Sequence, residues 1–148
     1  MTSEITNINT AAFAERESPR DEPNPHCLDL SGDHLGVRVE VLPPNSSSSY
    51  HHYHTAEEEH VLVLEGTATL YLGDDQYDVS EGDHVCFKAG QEVAHHIENR
   101  SKAPLKFLVF GERKHNDVVF YPEGGVMLVK SAQGNNLYNY KEYAEDES

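Results

Sequence analysis

Cationic side chains are scarce in this sequence. Eleven Lys and Arg stand against 26 Asp and Glu, for a formal charge of −15. A field of that sign repels phosphate backbones and anionic lipid, so nucleic-acid binding and docking on a membrane surface are not expected. Cysteine is scarce too. Cys27 and Cys86 lie far apart and in no metal-binding spacing. They argue against a disulfide framework and for the buried free thiols of a cytoplasmic protein. No apolar run approaches the ~18–20 residues of a membrane-spanning helix. The opening "MTSEITNINTAAFAERESPR" lacks a basic stretch followed by an apolar one, so it does not read as a secretory signal. A helical repeat is missing as well.

What is present is a chain of 148 residues with a hydrophobic fraction of 37%, polar but long enough to bury one core. Residues 1–25 are polar and end in "SPRDEPNP", whose prolines oppose regular structure, and they read as an arm. Residues 26–132 read as the folded domain. "LGVRVEVL" alternates with period two and is broken by "PPNSSSS". "HVLVLEG" and "TATLYL" follow, closed by a hairpin turn at Gly73-Asp74-Asp75. "QYDVSEGD" passes through a second turn at Glu81-Gly82-Asp83 into "HVCFKAG". "AHHIEN", "LKFLVFGE", "DVVFYP" and "VMLVK" complete about eight short β segments. Residues 133–148 read as an acidic tail. Many short strands without helices between them predict an all-β antiparallel sandwich or closed barrel.

Four of the ten histidines and three successive glutamates crowd into "YHHYHTAEEEH", directly before an apolar run. On an extended segment His52 and His54 project to the same side. Glu59 follows at the head of the next strand, and an inward Glu59 brings Val61 and Val63 inward with it. A further group has to come from another strand. "AHHIEN" offers it, with His95 and Ile97 on one face and His96 on the other. Imidazoles and a carboxylate with open positions suit iron, manganese, nickel or copper, and zinc as well. A lone histidine at a strand end is more often merely solvated; here an H-x-H pair, a carboxylate and a distant histidine coincide.

His52, His54, Glu59 and Gly66 meet the pattern H-x-H-x4-E-x6-G, which resembles the first motif of the cupin superfamily. Gly82, Gly90, His95 and Asn99 meet part of the second, G-x5-P-x-G-x2-H-x3-N. Ser46 stands at the first motif's leading glycine and Lys88 at the second's proline. Two extra residues separate Gly90 from His95, while the count from His95 to Asn99 is kept, which selects His95 over His96. The resemblance is to small single-domain bacterial cupins and covers residues from about 35 to 130. It implies a double-stranded β-helix, or jelly-roll barrel, commonly a homodimer. It also implies a divalent transition metal held by His52, His54, Glu59 and His95.

The function expected on these grounds is a metal-dependent enzyme, of dioxygenase, decarboxylase or isomerase type, acting on a small oxygen-rich molecule. Glu59 would double as a catalytic proton shuttle. The alternative is a non-catalytic small-molecule-binding or sensor protein. His51, His60 and His96 have the opposite strand parity and are expected at the surface, at a dimer contact or behind the ligands. Glu57 and Glu58 are expected at the surface or behind the ligands too. Tyr50, Tyr71 and Tyr77 are expected to pack in the barrel wall and Cys86 to be a small buried hydrophobe. Ser49 shows no sign of nucleophilic activation.

Overall fold

Period-two alternation becomes a set of fourteen short strands, numbered here in chain order. The structure is a computed structural model and describes residues 4–141. A six-stranded sheet runs in spatial order β1 (Ala14–Glu15), β2 (His26–Asp29), β3 (Leu35–Leu42), β11 (Leu105–Glu112), β6 (Glu59–Glu65) and β9 (His84–Phe87). A four-stranded sheet holds β4 (Ser46–Ser47), β10 (His95–Asn99), β7 (Thr67–Leu72) and β8 (Asp75–Ser80). A second four-stranded sheet holds β14 (Gly134–Asn139), β13 (Val126–Ser131), β12 (Val118–Tyr121) and β5 (Tyr53–His54). Neighbouring strands pair antiparallel, as the alternation implies. This is the expected jelly roll. Among the described residues no helix is long and apolar enough to cross a membrane.

The core lies between the large sheet and the β4–β10–β7–β8 sheet. Leu42, Val61, Val63, Phe107 and Val109 from the first meet Ala68, Leu70 and Ile97 from the second. Each is an alternate residue of its strand, so the outward neighbours are free to be polar. Phe107 is only 1% exposed and fills the centre of this layer.

The motif residues have structural reasons. Gly66 turns the chain from β6 into β7 at a φ of 90°, and a Cβ there would sit 2.8 Å from the Pro104 carbonyl oxygen. Asn99 is fully buried at the end of β10. Its amide donates to the carbonyls of Leu42 and Ala103, both at 2.8 Å, and its oxygen accepts from the Ser101 amide and hydroxyl. One side chain thereby satisfies a turn and ties it to β3.

The two ends differ from a free arm and tail. β1 pairs with β2 across the expected boundary at residue 25. Arg16 donates to the Ser48 carbonyl at 2.9 Å, Arg20 to the Ser49 carbonyl at 3.1 Å, and Glu22 accepts from the amide and hydroxyl of Ser47. The arm therefore grips the serine loop that leads to the histidines. Prolines stopped helix formation there without stopping local strand pairing. β14 lies within the expected tail and pairs along its length with β13. Residues 142–148 of that tail lie outside the described residues.

Candidate metal centre

Three backbone devices bring the predicted residues to one point. His52 and His95 form an isolated antiparallel bridge, with N–H···O distances of 2.8 and 3.2 Å between them. His54 ends β5, which pairs with β12. Glu59 opens β6 opposite Gly111 of β11. A Cβ at Gly111 would fall on the Glu58 carbonyl oxygen, so a glycine is required for β11 to pass this close to the strand that carries Glu59.

Ligand atoms of His52, His54 and Glu59 all lie within 4.8 Å of one another. His54 Nε2 is 3.7 Å from one Glu59 oxygen, and His95 Nε2 is 3.4 Å from the other. The His52 and His95 rings are 4.6 Å apart, and His95 stacks on Phe87 at 3.5 Å with its plane tilted by only 2°. His95 reaches the group from β10 through Glu59, stacked on an aromatic floor, but it stands outside the set of three whose ligand atoms all lie within 4.8 Å.

The partners of the imidazoles fix their tautomers. His52 Nδ1 is 2.7 Å from the Tyr50 carbonyl, which can only accept, so Nδ1 carries the proton. His54 Nδ1 is 2.7 Å from Asp117 Oδ2 and donates to it in the same way. A neutral ring with its proton on Nδ1 leaves Nε2 as the lone pair, the form in which histidine ligates a metal.

The charges fit as well. Burial pushes His52 down to about 4, helped by the neighbouring His95 and opposed by Glu59, so its ring is neutral at pH 7. Burial alone would raise the Glu59 carboxyl. The hydrogen bond from His95 and the fields of His95, His52 and His54 outweigh it and bring the group down to about 2. An ionised carboxylate beside the neutral His52 ring pairs oxygen and nitrogen donors of the kind that suit a divalent transition ion.

Asp117 is the residue of the candidate site that sequence reasoning missed. It is fully buried at the threshold of β12. Besides His54, it accepts from the backbone amides of Ala56 and Glu57 at 2.9 and 3.2 Å. Burial raises its carboxyl, but these bonds from His54, Ala56 and Glu57 together hold it down at about 2. The only signal in the sequence is a single acidic residue before an apolar strand, too common to single out.

The cleft in front of these residues encloses about 480 Å³. Its wall includes Arg38, on the inner face of β3 in register with Val109. Arg38 Nε reaches the buried Glu40 at 3.3 Å, and Arg16 reaches the same carboxylate at 3.0 Å. Two guanidiniums share the Glu40 carboxylate, which places Arg38 as a local cation in a wall that also carries Asp29, Glu58 and Glu112.

Other expectations are met in part. Of the two places expected for it, Glu57 takes the one behind the ligands: it is buried 3.6 Å from His54 Nδ1, and both its oxygens bind the Lys130 ammonium, at 2.9 and 3.0 Å. It lies in the irregular segment before β6, where strand parity does not apply. His96 does point away from His95, yet it is 6% exposed. Tyr71, its cross-strand partner, stacks on it at 4.5 Å, and His51 bonds it at 2.9 Å. Tyr71 packs as expected, whereas Tyr50 and Tyr77 are about half exposed. Cys86 is a free thiol on the outer face of β9, half-buried and 3.6 Å from His60. Cys27 is also free and half-buried, in the cleft wall. Ser49 sits 3.3 Å from His52 Nδ1, a nitrogen already committed as a donor.

Comparison with known proteins agrees with this fold. Residues 38–111, half of the chain, match the Cupin_2 family, described as a cupin domain. No curated protein matches the sequence. Among solved structures, a candidate sugar phosphate isomerase from Acidithiobacillus ferrooxidans is 29% identical with a TM-score of 0.84, over 91% of this chain and 89% of that one. A sugar phosphate isomerase of the cupin superfamily from Silicibacter pomeroyi is 25% identical with a TM-score of 0.79, over 91% and 92%. A predicted oxalate decarboxylase from Thermotoga maritima shares the fold at 19% identity and a TM-score of 0.65, over 75% and 100%.

Proposed function

The chain belongs to the cupin domain family, and from that premise we propose that it is a metal-dependent isomerase of a small, oxygen-rich anion such as a sugar phosphate. The observation that carries the proposal is the meeting of His52, His54 and Glu59 in one cleft with Arg38. The names of the Acidithiobacillus and Silicibacter proteins, which this chain resembles over nine-tenths of its length, support the choice of reaction and substrate.

In this reading His52, His54, Glu59 and His95 hold a divalent iron, manganese, nickel, zinc or copper ion. Such an ion, when bound, polarises a carbonyl oxygen and makes the neighbouring carbon more acidic. The chain supplies the rest. Arg38 offers a guanidinium to the substrate anion, the match of planar donors to phosphate or carboxylate oxygens. A cleft of about 480 Å³ is large enough for a small sugar phosphate together with several waters. Asp117 keeps the His54 proton on Nδ1. Glu59, held at about 2, is a ligand first and a weak base. To carry a proton between substrate carbons it has to break its contacts with the histidines, which raises its affinity for that proton. The same reading retains the cytoplasmic homodimer expected from the sequence, and light scattering of the purified protein checks the oligomeric state.

The test is metal analysis of freshly purified protein, followed by a panel of aldose and ketose phosphates in deuterated water. The expected result is one stoichiometric transition ion and metal-dependent interconversion, both lost in a His52→Ala, His54→Ala double variant. Absence of a stoichiometric ion rejects the proposal. A phosphate ester bound tightly and recovered unchanged would replace it with the binding-protein alternative.

A further inference from the structure

We propose a second cation site, of zinc type, on the outer face of the large sheet, formed by Glu58, His60 and Cys86 with His84 behind His60. β6 sends Glu59 and Val61 inward and His60 outward, so His60 and Cys86 stand on the opposite side of the strand from the candidate centre, while Glu58, just before β6, also borders the cleft. His60 and Cys86 are direct cross-strand partners of β6 and β9. One ligand atom from each of Glu58, His60 and Cys86 lies within 4.8 Å of the other two.

The spacing suits one ion. Cys86 Sγ is 3.6 Å from His60 Nε2. A tetrahedral zinc with bonds of about 2.3 Å to sulfur and about 2.05 Å to nitrogen sets its S···N edge at about 3.6 Å. Those two atoms therefore already stand at the separation of two ligands of one centre. Glu58 Oε1 is 2.6 Å from the same Nε2, and an ion would open that contact to an O···N edge of roughly 3.3 Å. Glu58 precedes β6 and its side chain is 46% exposed, so it has the freedom to move this far.

His60 is prepared on its other side. Its Nδ1 is 2.9 Å from His84 Nε2, and the Phe110 ring lies parallel to it at 5.0 Å. When Nδ1–H donates to His84, Nε2 is left as a lone pair facing a carboxylate oxygen across 2.6 Å. Two acceptors at that distance require a shared cation or proton between them. The competing arrangement is a plain hydrogen-bond relay, in which His84 donates to His60 Nδ1 and His60 Nε2–H donates to Glu58. The thiol separates the two. In the relay Cys86 keeps its proton; on ion binding Cys86 becomes a thiolate and releases that proton to solvent.

A thiolate also separates this site from the candidate centre, whose donors are nitrogen and oxygen only. Sulfur selects zinc, cobalt or copper over manganese and magnesium. Occupancy would clip β9, the edge strand of the large sheet, to β6.

The test is cobalt titration of the full-length, metal-free chain, read by the near-ultraviolet charge-transfer absorption that only a thiolate ligand produces. The band is expected in the wild type, in Cys27→Ser and in the His52→Ala, His54→Ala double variant. It is expected to vanish in Cys86→Ser and to need at least tenfold more cobalt in His60→Ala. A missing band in the wild type, or one that survives Cys86→Ser, overturns the proposal. A band lost with the double variant overturns it as well. A second measurement uses the unmutated chain: zinc should slow maleimide alkylation at Cys86 at least tenfold, and an unchanged rate overturns it equally.

Discussion

Replacing Asp117 with Asn changes one atom in the buried contact to His54 and reverses what that contact does. The amides of Ala56 and Glu57 both point at Asp117 Oδ1. An asparagine has to leave its carbonyl oxygen there, because turning its NH2 toward two N–H donors would leave all of them unpaired. The NH2 then takes the place of Oδ2, 2.7 Å from His54 Nδ1. That nitrogen must now accept, so the imidazole proton moves to Nε2, the atom that faces Glu59 at 3.7 Å. A protonated Nε2 cannot ligate. Loss of such an orienting partner weakens metal binding by about 10- to 100-fold, or about 1.4–2.7 kcal/mol. The metal-free protein should lose roughly 1.5–3 kcal/mol, the range for a hydrogen bond to a charged group. A chelator-competition titration measures the first quantity and urea unfolding the second. Wild-type metal affinity in Asp117→Asn would refute the argument that Asp117 sets the His54 tautomer.

Gly111→Ala places a methyl group on the Glu58 carbonyl oxygen. It should destabilise the fold by about 1–3 kcal/mol and weaken metal binding with it, and unfolding and metal titrations on one preparation check both. Phe107→Ala empties the centre of the core and should cost about 3–5 kcal/mol, seen as a lower urea midpoint. pH dependence follows from His52, whose folded value of about 4 lies below its ordinary 6.5. Between those values the unfolded chain binds the proton and the folded chain does not, so stability of the metal-free protein rises with pH across that window. The gain is at most about 3 kcal/mol and should be absent from His52→Ala, as urea unfolding at pH 4 and pH 6.5 tests. Glu59 and Asp117 act lower down: their contributions are present above their ordinary carboxyl range and are lost as pH falls toward about 2.

Strand positions were legible where alternation was uninterrupted. "LGVRVEVL", "TATLYL" and "LKFLVFGE" coincide with β3, β7 and β11 residue for residue. Both hairpin turns fall at the expected glycines, because a left-handed residue there leaves few other side chains. The inward placement of His52, His54 and Glu59 was legible from the motif spacing rather than from alternation, since His52 and His54 lie in a bridge and a two-residue strand. Strands that owe their existence to a partner were not. β1, β4 and β5 are two-residue pairings created by tertiary contact, with no periodicity to read. Parity assigned directions correctly to His95 and His96 but not their burial, since the cover comes from Tyr71 and His51 on other segments. Asp117 escaped because it sits in an irregular segment just before a strand, where the side-chain direction follows from the hydrogen bonds the fold makes available.

The pairing of β3 with β11 joins residues 35–42 to 105–112, and the bridge between His52 and His95 closes inside that span. A chain still being synthesised carries His52, His54 and Glu59 well before it carries His95, β11 or Asp117. Long-range antiparallel pairing is the slow part of folding such a protein, so the four donors meet only once the barrel is nearly closed. On the proposed function, metal is then a late arrival, and we expect it to lower the unfolding rate while leaving the refolding rate unchanged. Stopped-flow folding with and without zinc tests this. A refolding limb that speeds up with metal would place ion capture in the transition state. With an unchanged refolding limb, the ion picked up in the cell depends on the supply the finished barrel meets, long after the ribosome has let go.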